Sequence, residues 1–270
     1  MRLLAVATFL AAPAILQAQA IAIEGQAVQG GLVRGHAPAG TVELSLGDQP
    51  VAVAGDGAFV IGLDRDHPLT ARLTARLGDG RVVEQIVPVA PRAWRIEHIN
   101  VARSPGGITD EAYRLRRESE VARIAAARAQ ASSSEGWRQH FVWPSRGRIS
   151  GQFGAQRVYR GSAAAYHSGV DVAPGAGAPV VAPADGIVVL AGPPMFSLEG
   201  NLVIIDHGMG LNSAFLHLAR ADVAVGQTVR QGQPIGTVGA TGRATGPHLH
   251  WSLMWNGARL DPQLVAGPMR

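Results

Sequence analysis

Glycine and proline punctuate this chain so densely that few stretches are free to run as long helices. There are 34 glycines and 17 prolines among 270 residues, well above the usual globular share. Short apolar runs bounded by turn residues form strands, so the chain is expected to be all-β. Ile187-Val188-Val189-Leu190 and Leu202-Val203-Ile204-Ile205 are nearly continuous apolar runs, as strands buried on both faces require. Residues 21 to about 95 alternate instead. Val42-Glu43-Leu44-Ser45-Leu46 is one such run, and Leu73 to Leu77 leads through Gly78-Asp79-Gly80 into Arg81-Val82-Val83 as a hairpin. About six or seven short strands in this region predict a small β-sandwich.

Residues 104–136 break the pattern. After Ser104-Pro105-Gly106-Gly107, Thr109 offers an N-cap, with Asp110 and Glu111 in the first turn. The Ala/Arg/Glu-rich segment to about Ala131 places Leu115, Val121 or Ala122, and Ile124-Ala125 on one side of a helical wheel. This predicts a linker helix laid across the β units with its arginines in solvent. At the N-terminus, Met1-Arg2, an apolar core from Leu3 to Leu16, and Ala18-Gln19-Ala20 have the form of a secretory signal peptide. The expected organisation is a signal peptide (1–20), a small β-sandwich (21–103), a linker helix (104–136) and a second β domain (137–270). The mature chain is expected to be exported and to have no transmembrane segment.

Two absences narrow the chemistry. All 24 basic residues are Arg, so Schiff-base lysines, P-loop lysines and lipoyl carriers are excluded. With no Cys, so are disulfides, thiolate zinc sites and Cys nucleophiles. Any metal must be held by His and carboxylates. The formal charge of +4 suits an anionic surface such as a cell wall but is accounted for equally well by genome composition that puts Arg in place of every Lys, and export argues against nucleic acid as a partner.

The histidines are unevenly spread: His167, His207, His217, His248 and His250 crowd into one region. On a strand, His248 and His250 point to one face about 6.6 Å apart. A straight strand would hold His167 and Asp171 about 13 Å apart, too far to share a metal, but Gly169 and the following Pro174-Gly175 permit a turn. Together these residues offer the His, His and carboxylate set of a catalytic zinc with one open position. On an alternating strand His217 shares a face with Phe215 and Ser213; an isolated imidazole there is usually structural, and beside a metal site it is also the second, non-ligating imidazole that water activation needs. His207, before Gly208-Met209-Gly210, reads as a turn residue, and His36 and His67 read as solvated loop residues.

From Ser150 to Leu264 the chain resembles peptidase family M23, the lysostaphin- and LytM-type zinc endopeptidases of peptidoglycan. The resemblance rests on Ser150-Gly151-x-Phe153-Gly154, His167-x-Gly169-x-Asp171, Ala182-Pro183-Ala184-Asp185-Gly186, His207-Gly208 and His217-Leu218. It continues through Gly226 to Gly236, Gly239-x-Thr241-Gly242, Thr245-Gly246-Pro247-His248-Leu249-His250 and Asp261-Pro262. It implies a two-sheet lysostaphin-like catalytic domain, with His167, Asp171 and His250 as zinc ligands and His217 and His248 as the non-ligating catalytic pair. The implied substrate is the peptide cross-link of peptidoglycan; in a periplasm this is a D-Ala to diaminopimelate bond. Some members have lost ligands and activate amidases, so a non-catalytic amidase-binding module is the alternative, although all five positions are filled here. Phe215 stands where many members carry Tyr, leaving Tyr159 and Tyr166 as candidates for an oxyanion-supporting hydroxyl. The segment 21–135 lies outside the resemblance. It is expected to carry no chemistry and to shield the groove, dock an envelope protein, or act as a spacer.

Overall fold

The computed structural model describes residues 20–101 and 111–269. The signal-peptide pattern and the Thr109 cap therefore lie outside the described residues. The first unit has seven strands: β1 (Ala22–Glu24), β2 (Leu32–His36), β3 (Thr41–Leu46), β4 (Gln49–Pro50), β5 (Ala58–Gly62), β6 (Thr70–Leu77) and β7 (Val82–Pro88). They form two sheets, β1-β2-β5 and β4-β3-β6-β7. The β6–β7 hairpin pairs Arg76 with Val82 around Gly80, whose φ of 87° is accessible to glycine without strain.

The next strand, β8 (Ile96–Ile99), leaves this unit and lies parallel to β10 (Gln156–Tyr159), with β11 (Ser162–Ala163) beyond it. Between them in sequence come helix α1 (Glu111–Arg128), a 3-10 turn at Gly136–Arg138, and β9 (Arg148–Gly151). The remaining strands are β12 (Val170–Ala173), β13 (Pro179–Val181), β14 (Gly186–Leu190), β15 (Asn201–Asp206), β16 (Leu211–Ala221), β17 (Thr228–Val229), β18 (Pro234–Val238), β19 (Leu249–Trp255) and β20 (Ala258–Leu260), followed by helix α2 (Pro262–Ala266). They build one ten-stranded sheet ordered β17-β14-β15-β16-β19-β12-β9, with β13, β18 and β20 alongside. The fold is all-β.

A single apolar core crosses from the first unit into the second. It contains Phe59, Ile61 and Leu63 together with Trp251, Trp255 and Leu260. At Gly62 a Cβ would come within 2.8 Å of Trp255 Cβ, so the two units meet at a position that admits no side chain. Polar ties reinforce the contact: Arg34 donates to the carbonyls of Trp137 and Gln139, and Arg92 pairs with buried Asp261 at 2.7 Å.

Helix α1 lies on the sheet with a different face from the one its apolar wheel suggests. Leu115 is 54% and Val121 49% exposed, whereas Glu120 and Ala127 are buried and Ile124 packs beside them. Ion pairs and hydrogen bonds set this rotation. Arg117 takes Glu199 in two bonds of 2.7 Å, and Glu120 accepts from the Ser197 amide and hydroxyl. Arg117 and Arg128 consequently face the sheet, not solvent.

His207 also departs from its turn reading, since it is fully buried. Its Nδ1 donates to the Asp185 carbonyl at 2.8 Å, and its Nε2 is 2.9 Å from the Ser213 hydroxyl. Burial pushes its pKa down to about 4. In the unfolded chain this imidazole binds a proton near pH 6.5, whereas in the folded chain it does so only near pH 4. Its contribution is thus complete above pH 6.5 and is lost as the pH falls toward 4, to the extent of about 3 kcal/mol. Denaturant titrations at pH 7 and pH 4.5 are expected to show the loss, and His207→Gln is expected to flatten it. An unchanged pH slope in that variant would assign the loss to other groups.

Candidate metal centre

Strands β12 and β19 run antiparallel with Asp171 opposite His250. Val170 and Val172 are fully buried, as are Leu249, Trp251, Leu253 and Trp255; alternation therefore sends Asp171 and His250 to the other face together. Asp171 Oδ1 lies 2.8 Å from His250 Nδ1. His167 arrives from the loop before β12, whose backbone is tied by His167 N to Ala155 O and Gly154 N to His167 O. The His167 Nδ1 hydrogen is directed at the Gln152 carbonyl (3.0 Å), which turns Nε2 to 3.1 Å from Asp171 Oδ1 and 3.0 Å from His250 Nδ1.

Two glycines make room for this cluster. A Cβ at Gly151, opposite Asp171 on β9, would lie 2.2 Å from Asp171 Oδ2. A Cβ at Gly169 would lie 2.4 Å from the Trp251 carbonyl and 2.7 Å from His250 Nε2. The role of Gly169 is clearance for the imidazole as well as a turn before the strand.

His217 reaches the site by a route that simple alternation does not predict. Phe215 and Ser213 face the core, where Ser213 contacts His207 and Trp251. Strict alternation would bury His217 there too. Instead His217 has φ 63°, a left-handed conformation uncommon outside glycine. It sits where β16 leaves β19, its partner through Leu216, and takes up β18 from Leu218 onward. This bulge re-aims the side chain. Its ring lies 4.8 Å from that of His248 and 6.3 Å from that of His250.

His217 and His248 are held alike. Their Nδ1 atoms lie 2.8 Å from the carbonyls of Thr241 and Gly246, so each donates from Nδ1 and leaves Nε2 as an acceptor. His248 Nε2 is 3.9 Å from Asp171 Oδ1. Burial lowers the pKa of His217 and of His250. Although burial opposes it, the close imidazoles of His167 and His250 hold Asp171 well below the usual carboxylate range.

The donor set fits a divalent metal. Two ring nitrogens and a carboxylate oxygen converge at 2.8–3.1 Å, and neutral imidazoles there would direct lone pairs at one another and at an anion. A cation resolves that conflict, and His₂–carboxylate is a familiar zinc set. Outer contacts are also in place, since His167 donates its second nitrogen hydrogen to a backbone carbonyl.

Tyr166 commits its hydroxyl to Asp64 at 3.0 Å, and burial with that carboxylate pushes its pKa to about 12. Tyr159 lies on β10 along a cavity of about 740 Å³ that also reaches His167 and Asp171. Arg95, Glu97 and Arg243 line the same cavity. Sequence reasoning passed over all three. Arg243 lies within the motif around His248 and was findable there. Arg95 and Glu97 are remote in sequence and arrive only through the β8–β10 pairing, so the segment before residue 104 does contribute to the groove.

A His/His/carboxylate group able to hold a metal, on an all-β scaffold with two further imidazoles beside it, has the architecture of a metallohydrolase. The model of peptidase family M23 matches residues 165–262. A crystal structure of a Pseudomonas aeruginosa protein assigned to peptidase M23 superposes with a TM-score of 0.69 at 30% identity, covering 94% of this chain and 98% of that one. Among curated relatives, the peptidoglycan DD-endopeptidase ShyC of Vibrio cholerae is 40% identical over 45% of this chain and 28% of its own length. The DD-carboxypeptidase/endopeptidase Mpg of Neisseria meningitidis is 43% identical over 38% of this chain and 23% of its own. The chain thus spans less than a third of the length of these curated relatives. It belongs to peptidase family M23.

Because Gly151 opposes Asp171 with no spare volume, Gly151→Ala is expected to displace the carboxylate and weaken metal binding about 10- to 100-fold while the sheet still folds. Metal titration paired with circular dichroism checks this. Native affinity in the variant would show that the clearance is not needed.

Proposed function

We propose that this chain is a zinc metalloendopeptidase that hydrolyses peptide cross-links of peptidoglycan. The observation that carries the reading is the convergence of His167, Asp171 and His250 with the open Nε2 atoms of His217 and His248 beside them. In this reading the first three hold the zinc and the last two move protons. Zinc bound there supplies a water of pKa about 7 and polarises the scissile carbonyl. The chain's own contribution is to hold two imidazoles in one tautomer, each with its acceptor nitrogen free. One of the pair accepts the proton of the attacking water, and the pair then supports the developing oxyanion and protonates the leaving amine. The lowered pKa of His217 keeps it neutral, the form a base requires. The amidase-activator reading loses support, since nothing in the donor set is missing.

Residues 137–270 carry this chemistry in the proposal, with 21–103 and the linker helix as its scaffold. The N-terminal signal pattern would direct the chain across the inner membrane to the periplasm, where its substrate lies. Among the described residues no helix is long and apolar enough to cross a membrane.

Incubation with cross-linked muropeptide dimers is expected to release monomers; chelation should stop this and added zinc should restore it. Monomer release that is indifferent to chelator would overturn the zinc mechanism. His167→Ala, Asp171→Ala and His250→Ala are expected to lose zinc along with activity. By contrast, His217→Ala and His248→Ala should retain zinc and lose about 10²-fold or more in turnover. Full zinc occupancy in the first three, or near-normal turnover in either of the last two, would reassign the residue concerned.

A further inference from the structure

A second cavity, of about 290 Å³, lies between α1 and the sheet face that carries His250. Ser168 and His250 are among its lining residues, so it reaches one of the candidate metal donors. Three arginines line it, and only one has an anionic partner. Arg117 is engaged by Glu199 through two 2.7 Å bonds. Arg128 and Arg259 make no ion pair among the described residues.

Arg128 is the unusual one. Its Nη1 reaches only the Met254 thioether, at 2.6 Å, and sulfur there is a weak acceptor. Its Nε is buried without a partner. Burial, aided by the nearby Arg259 charge and only partly offset by Glu199, pushes this guanidinium down to about 10. Buried charges are ordinarily paired, and an uncompensated one is a strongly destabilising feature. A helix surface free to drift would let such a side chain extend into water, but the Arg117–Glu199 and Glu120–Ser197 contacts hold α1 in place. The protein therefore presents a desolvated, fork-shaped cation beside a cavity lined in part by apolar Ile124, Leu202 and Leu216 and in part by Ser168, Ser252 and the Arg117-paired Glu199. Guanidinium and carboxylate match as planar, two-pronged partners.

We propose that this cavity is a carboxylate-binding subsite, in which Arg128, assisted by Arg259, takes a free carboxylate of the acidic peptide whose amide carbonyl lies at the metal centre. The inference rests on the peptidase reading above and adds to it a specificity: the peptide must carry a free acid close to the scissile bond. Arg128 belongs to the linker helix, so the selectivity of the site depends on a residue outside the segment that supplies the metal donors.

The test uses the zinc-loaded protein and two forms of one cross-linked muropeptide dimer, with free carboxylates and with those carboxylates amidated. The wild type is expected to favour the free acid by about 10- to 100-fold in kcat/KM, mainly through KM, as charge-assisted hydrogen bonds in a desolvated site provide. Arg128→Met, which keeps an unbranched apolar stem out to the position of Nε and removes the guanidinium, should lose that preference and process the amidated dimer as the wild type does. Its Tm should be unchanged or higher, because an unpaired buried charge has been removed. A wild type that treats the two dimers alike overturns the subsite, as does a Met variant equally impaired on both. If neither dimer is cleaved, it is the peptidase reading that fails, and the subsite is judged by calorimetric binding of the same pair. Tighter binding of the free acid that is lost in Arg128→Met upholds the subsite, and equal binding overturns it.

Discussion

The register of β12 on β19 is the constraint on which the centre depends. With Asp171 opposite His250, both donors leave the sheet on one face while Val170, Val172, Leu249 and Trp251 are fully buried. A slip of one residue in either strand would bury a donor and expose a core side chain. The apolar alternation therefore fixes these candidate metal donors as firmly as it fixes the fold. The same tightness explains Gly151 and Gly169. Oxygen and nitrogen donors 2.8 Å apart leave no volume for a methyl group beside either of them. Only His167 comes from a loop, and that loop has to be held by other means.

It is held from the first unit. Arg65 is nearly fully buried, with its guanidinium 5.2 Å from the Trp94 ring and 4.8 Å from the Tyr166 ring. It donates to the Gly154 carbonyl and to Gln156, while Asp64 accepts from Tyr166 and from the Arg259 amide. These contacts bracket residues 154–166, the stretch that ends at His167. Desolvated charged hydrogen bonds of this kind are worth more than surface pairs, and here they join two units that also share one core. The first unit acts on the chemistry through the loop's position, without placing a donor in the cluster.

The parts legible in the sequence are those governed by short-range rules. The spacing of His167, Asp171, His248 and His250, the continuous apolar runs of β14 and β15, and the Gly78-Asp79-Gly80 turn all follow from period and turn chemistry. The exceptions have specific physical causes. His217 belongs to the wrong face of an ideal strand and is rescued by a left-handed residue at the point where β16 changes partners. Nothing in a pattern of period two announces such a bulge. The buried face of α1 is half ionic, so hydrophobic periodicity picked Leu115 and Val121 although Arg117 and Glu120 do the docking. His207 looked like a turn residue because it borders glycines; its burial depends on Asp185 and Ser213, which the sheet brings to it. Arg95 reaches the groove through a parallel pairing with a strand about 60 residues away, beyond any local signal.

Charge distribution around the metal cluster then acquires a direction. The donors themselves carry one formal negative charge, on Asp171. On the side of His167 the groove is lined by Arg95, Arg157 and Arg243, with Glu97 paired to Arg157 at 3.0 Å. On the side of His250 it is lined by Arg117, Arg128 and Arg259, with Glu199 paired to Arg117. Each side thus holds three guanidinium groups against one carboxylate, apart from the metal ligand. A surplus of guanidinium over carboxylate on each side raises the local potential for anions. A basic composition drawn entirely from arginine becomes a local property once the fold gathers these six residues on the two sides of the candidate metal donors.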